Sequence, residues 1–195
     1  MYYKMIKLRN CYSNDFKVKN IILKLNNLDY KVINIFNKNS LEIILFTGLL
    51  TDNLELSNLK SITPRNYPSN MIWDHVDGIY KSDLKKIFIG LYGDYYLKNR
   101  DIFLHELGHA FDDIIGYNVY GHPISELLEI QNIIETEPFE DLPNQKIKGY
   151  YNKHPREYVA NSFDMYSNND ETNNYLKVNH NKIWNIINDT INNIK

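Results

Sequence analysis

Residues 101–116 read DIFLHELGHAFDDIIG, with the pentapeptide His105-Glu106-Leu107-Gly108-His109 at their centre. Residues four apart share one face of a helix, so both imidazoles can reach a single metal ion. Zinc favours imidazole nitrogen, and a catalytic zinc keeps one position open for water, whose proton Glu106 can take. With six His in 195 residues, such a string arises by accident roughly one time in a hundred. Its surroundings lower that rate. Asn99 or Asp101 can cap the helix, and Ile102, Phe103, Leu104, Leu107, Ala110, Phe111, Ile114 and Ile115 give it a wide apolar face. Gly116 is the expected stop. The motif therefore belongs on a buried helix.

Working outward, 195 residues of which 43% are hydrophobic fit one domain, 1–195, with a substantial core. A net charge of −2 gives no whole-chain electrostatic case for nucleic acid or an anionic membrane. Cys11 is the single cysteine, which excludes an intrachain disulfide and any metal site needing two thiolates from this chain. Residues 1–16 are polar and charged without a continuous apolar run, so they read neither as a signal peptide nor as a membrane helix.

Helical spacing of Val18, Ile21, Ile22 and Leu25 predicts a helix over 15–28, with a second over 30–36. Residues 41–47 read as the first strand, ended by Gly48, and a helical turn follows near 53–59. Pro64 and Pro68 mark a loop, and 86–91 (KIFIGL) reads as a second strand. Beyond the motif, helices are expected over 124–134, from His154-Pro155 to about 166, and over 182–194, with an acidic loop at 135–148. The layout is N-terminal helices about 15–36, a sheet region about 40–92, and the motif helix with C-terminal helices about 99–195.

Two His do not complete a catalytic zinc site, so a third ligand is needed. Glu129, twenty residues beyond His109, and Glu157, forty-eight beyond it, both lie on predicted helices. Val159, Ala160, Phe163 and Met165 could pack the helix of Glu157 onto the motif helix, but the residues alone leave the choice open. Tyr150 stands seven residues before Glu157, where a phenol can donate to the oxyanion of a tetrahedral intermediate.

HELGHAFD (105–112), the Tyr150 to Glu157 spacing, REYVANSF (156–163) and LKVNHNKIWNIINDTI (176–191) resemble the C-terminal metallopeptidase domain of anthrax lethal factor and the compact Pro-Pro endopeptidases. SLEIILFTGLLTD (40–52) and IWDHVDG (72–78) are similar to the stretches before the zinc helix of those small enzymes, so the resemblance covers roughly 40–195. It implies an α+β, gluzincin-like zinc metallopeptidase domain: a small sheet packed on an active-site helix, with a mostly helical C-terminal half. It also implies His105, His109 and Glu157 as ligands of one Zn2+ per chain, Glu106 as base and Tyr150 as oxyanion donor.

The chain departs from that pattern at three positions. Asn161 stands where the family has an acid supporting the metal shell, four residues after the ligand Glu. Met71 and Arg156 replace a Lys two before the Trp and an acid just before the ligand Glu. The expected activity is that of a zinc metalloendopeptidase cutting a protein or peptide near proline, working as a monomer, without nucleic acid or a membrane span. The resemblance implies an extracellular place of action. Trp73 either lines the cleft or packs under a loop. Strand residues Ile87, Phe88, Ile89 and Gly90 are expected to offer an exposed edge to an extended substrate. His75, His122, His154 and His180 read as surface or loop residues. The alternatives are a catalytically silent, lethal-factor-like module that docks a partner, and a nonproteolytic metallohydrolase.

Overall fold

The computed structural model describes residues 4–64, 72–91, 101–140 and 150–195, and leaves out the side chains of His75 and Tyr150. The chain opens with strand β1 (Ile6–Arg9), which was not expected from so polar a segment. Helices α1 (Phe16–Asn27) and α2 (Tyr30–Lys38) follow, each begun by an Asp whose side chain accepts a backbone N–H of the first turn. Strand β2 (Glu42–Phe46) precedes short helical turns at Leu50–Asp52 and Leu54–Leu59. Strands β3 (Gly78–Lys81) and β4 (Lys86–Gly90) form a hairpin.

The strand order is β1-β2-β4-β3, with β1, β2 and β4 parallel and β3 antiparallel to β4. One face of the sheet, with Ile43, Leu45, Ile87 and Ile89, packs into the main core with the helices. The other, with Ile44, Phe46 and Phe88, is covered by Leu50, Leu56 and the partly buried Trp73. A central strand buried on both faces reads as a continuous apolar run, which is why LEIILF and KIFIG were visible in sequence. The same burial corrects the expected role of β4. It is paired on both sides, and Ile87, Phe88 and Ile89 are buried, so 86–90 offers no free edge to a substrate. Among the described strands, the edge on the β4 side of the sheet is β3.

Helix α3 (Ile102–Ala110) carries the motif. Asp101 caps it by accepting the Leu104 N–H at 3.0 Å, and Lys24 of α1 forms an ion pair with the same carboxylate. The helix does not stop at Gly116. It widens into a π-type turn (Phe111–Ile115) and runs on as α4 (Gly116–Tyr120), ending at Gly121 in the left-handed region, φ +80°. Gly116 serves close packing instead, since a Cβ there would lie 2.7 Å from the Ile124 nitrogen. After a turn at Ile124–Glu126 come α5 (Leu128–Thr136), α6 (Tyr150–Lys153), α7 (Pro155–Asn168), α8 (Asp170–Asn179) and α9 (Asn181–Asn192). Helix α8 was not expected, because its sequence, DETNNYLKVN, buries only Leu176 and so has almost no apolar period. His180, between α8 and α9, is buried against Phe139 with ring centroids 4.4 Å apart, and is not a surface residue.

The result is an α+β protein with a small mixed sheet and a mostly helical C-terminal half. No helix among the described residues is long and apolar enough to cross a membrane.

Candidate active site

The site is built where α3 and α7 meet. Phe103, Leu104, Leu107 and Phe111 on one side and Tyr158, Val159 and Phe163 on the other are fully buried, and Phe111 stacks on Phe163 with centroids 4.4 Å apart. Each such side chain contributes about 1.5–3 kcal/mol on leaving water. Gly108 sets the approach. A Cβ at that position would lie 2.6 Å from the carbonyl oxygen of Ala160 and 2.8 Å from its Cα, so the two backbones touch where any side chain would part them.

That contact brings Glu157, in the first turn of α7, onto the two motif imidazoles. His105 Nε2 lies 3.2 Å from Glu157 Oε2, and His109 Nε2 lies 3.5 Å from Oε1. The rings stand edge to face, 84° apart. Ligand atoms of the three residues all lie within 4.8 Å of one another, the only such His/Cys/Asp/Glu group among the described residues. Donor atoms around a tetrahedral ion with ligands at about 2.0–2.2 Å stand roughly 3.3 Å apart, and the two His–Glu157 separations, 3.2 and 3.5 Å, match that spacing, so the group could hold a metal ion. Burial alone would raise the Glu157 carboxyl, but the charge of His109 and hydrogen bonds from His105 and His109 hold it well below the usual carboxylate range. Glu129 is exposed on α5 and is not part of this group.

A cleft of about 320 Å³ opens over the group, lined by His105, Glu106, His109, Arg156 and Glu157 from the helices and by Trp73 and residues 78–80 from the sheet side. Glu106 is buried, and its Oε2 accepts the peptide N–H of Tyr80 at 2.8 Å. Trp73 borders the cleft and packs, partly buried, on the sheet face that holds Ile44, Phe46 and Phe88. The Asn161 amide nitrogen donates to Met165 Sδ at 3.8 Å, one turn along its own helix. Tyr150 begins α6, but its side chain lies outside the described residues, as does Met71.

Three residues that the sequence did not single out border the site. Asp112 is buried and accepts both the N–H and the Oγ–H of Ser125, at 2.7 and 2.8 Å. Burial pushes its carboxyl up against the pull of those bonds and of His109 and Arg156. The Tyr80 phenol donates to Asp113 Oδ2 at 2.7 Å. The available signal was a pair of acids, Asp112-Asp113, inside an otherwise apolar helical run.

Comparison with known proteins agrees with this geometry. The family model described as anthrax toxin lethal factor, N- and C-terminal domain, matches residues 3–190. A Pro-Pro endopeptidase of Clostridioides difficile (strain 630) is 32% identical over 161 residues, covering 80% of this chain and 68% of that protein. The solved structure of the Pro-Pro endopeptidase from Paenibacillus alvei has the same fold, with a TM-score of 0.79 at 21% identity, covering 96% of this chain and 97% of the other. With its HELGH helix and the carboxylate of α7 in the arrangement described, the chain belongs to the anthrax toxin lethal factor family, among its Pro-Pro endopeptidase-like members, and is an endopeptidase.

Proposed function

We propose that the protein is a zinc-dependent metalloendopeptidase that cuts an extended protein segment near proline. The observation that carries this is the convergence of His105, His109 and Glu157 beside the buried Glu106, at the floor of an open cleft. Those three residues would hold a zinc ion, which would supply Lewis-acid polarisation of the scissile carbonyl and would lower the pKa of the attacking water. Glu106 accepts the proton of that water and returns it to the leaving amine as the C–N bond breaks. The Tyr150 phenol is assigned as donor to the oxyanion, on the strength of its spacing from Glu157.

β3, the edge strand on that side, borders the cleft, so it takes the template role first expected of β4 through its outward backbone groups other than the Tyr80 N–H, which Glu106 holds. Arg156, exposed at the rim and 4.0 Å from Glu126, puts a cation in the cleft beside the ligand Glu157. Proline near the cut is supported by the activity named for the relative of 32% identity. The residues assigned here all come from one chain, which favours a monomeric enzyme. The family resemblance is the support for an extracellular place of action.

A degenerate peptide library, half of it proline-containing, incubated with the purified protein tests this reading. Cleavage that a zinc chelator abolishes and added zinc restores is expected, with none from Glu106→Gln, which keeps the ligands but has no base. Zinc-loaded protein that cuts no peptide would overturn it and favour a silent docking module, against which the intact donor set now argues.

A further inference from the structure

We propose that Tyr80 is the positioning residue for the base, holding Glu106 by its peptide N–H while its own phenol is anchored on Asp113. This rests on the proposed role of Glu106. The Gly90 N–H donates to the Asp77 carbonyl at 2.8 Å, so Asp77 and then Ile79 lie in the bonded pairs of the β3–β4 ladder. Alternation in an antiparallel pair then turns the N–H and C=O of Tyr80 outward, toward α3. That outward N–H meets Glu106 Oε2 at 2.8 Å, a hydrogen bond inside a buried site.

The second grip comes from the helix itself. Glu106 and Asp113 are seven residues apart, close to two helical turns, and so share a face of the rod formed by α3 and the π-type turn after it. The phenol of Tyr80 reaches Asp113 Oδ2 at 2.7 Å while its backbone reaches Glu106. One residue of the edge strand is therefore fastened to the helix at two points, one of them the base. Burial and the Asp113 charge keep the phenol protonated, so it stays a donor. Because the bond to Glu106 comes from the main chain, no substitution at position 80 other than proline deletes it. Its geometry depends on where the strand is pinned, and the phenol does the pinning.

Tyr80→Phe removes one hydroxyl and keeps the ring. We expect kcat to fall roughly three- to thirtyfold with KM within about twofold and zinc content unchanged. Asp113→Ala should show the same split, Asp113→Asn, which keeps an acceptor oxygen, a smaller loss, and Tyr80→Phe/Asp113→Ala no more than the worse single change. Independent losses that multiply in the double variant, or a Tyr80→Phe enzyme within twofold of wild type in kcat, would overturn the proposal. A second measurement needs no turnover: the Tyr80 amide proton, observed by NMR in the zinc-loaded protein, should lie downfield and move upfield in both Glu106→Gln and Tyr80→Phe. An amide resonance indifferent to both changes overturns the latch even if peptides are cut, and one that responds upholds it even if the peptidase reading fails.

Discussion

The tasks proposed for the residues at the centre of the site can be separated by single substitutions. Glu157→Ala takes away one of three donors and should weaken zinc binding by orders of magnitude, whereas Glu129→Ala, on the exposed first turn of α5, should leave it nearly unchanged. Metal titration of the two variants against a competing chelator gives the comparison, and the reverse order would replace the third ligand. Tyr150→Phe keeps the ring and removes the hydroxyl. Steady-state kinetics should show kcat lower by roughly ten- to a thousandfold with zinc retained, the loss seen when an oxyanion donor is deleted. If Tyr151→Phe shows that loss instead, the seven-residue spacing from Glu157 points one position astray.

At the scale of elements, the site depends on how closely two helices approach. Gly108 is the fourth residue of the pentapeptide and belongs to neither the ligands nor the base, yet it lets α3 lie backbone to backbone on α7. Gly108→Ala should destabilise the protein by about 1–3 kcal/mol through overpacking. Because the pushed-apart helices carry His105 and His109 on one side and Glu157 on the other, zinc affinity should fall with it. Thermal melts of the apo protein beside zinc titrations test this, and an alanine variant that melts and binds like wild type would show that the contact yields freely. The π-type turn is the other element-level device. By widening the helix after the motif it places Asp112 against Ser125 and Asp113 against Tyr80, so the helix is tied to the following turn and to the sheet edge.

Across the whole molecule, a charged cluster on the sheet joins elements distant in sequence. Arg9 of β1 makes a paired contact with Glu55, at 2.7 and 2.8 Å, and Lys86 of β4 lies 3.2 Å from Glu42 and 3.5 Å from Glu55. The Arg9 hydrogen bonds hold the Glu55 carboxyl at about 2, below its usual 4.5. An acid depressed on folding stabilises the protein above its unfolded value and loses that contribution as pH falls through the folded one, here between about 4.5 and about 2. Denaturant melts over that range should show stability declining with acid, more gently for Arg9→Met and more gently in high salt, since the pair is partly exposed. Equal slopes for the two proteins would remove Glu55 from the account.

Sequence alone determined what short-range patterns can encode. Helical spacing located α1, α2, α3, α7 and α9, apolar runs located β2 and β4, and the i, i+4 imidazoles with their intervening Glu pointed to a peptidase. It missed β1 and β3, whose half-exposed residues carry little apolar period, and it read Gly116 as a stop because a glycine needed for close packing looks the same in sequence as one needed for a left-handed turn. Tertiary structure alone set Glu157, and not Glu129, beside the two imidazoles, put β4 inside the sheet and β3 at its edge, and set Tyr80 on Glu106. Those outcomes turn on which surfaces meet across more than twenty residues of chain, and no local periodicity records the close approach of Gly108 to Ala160 that brings them together.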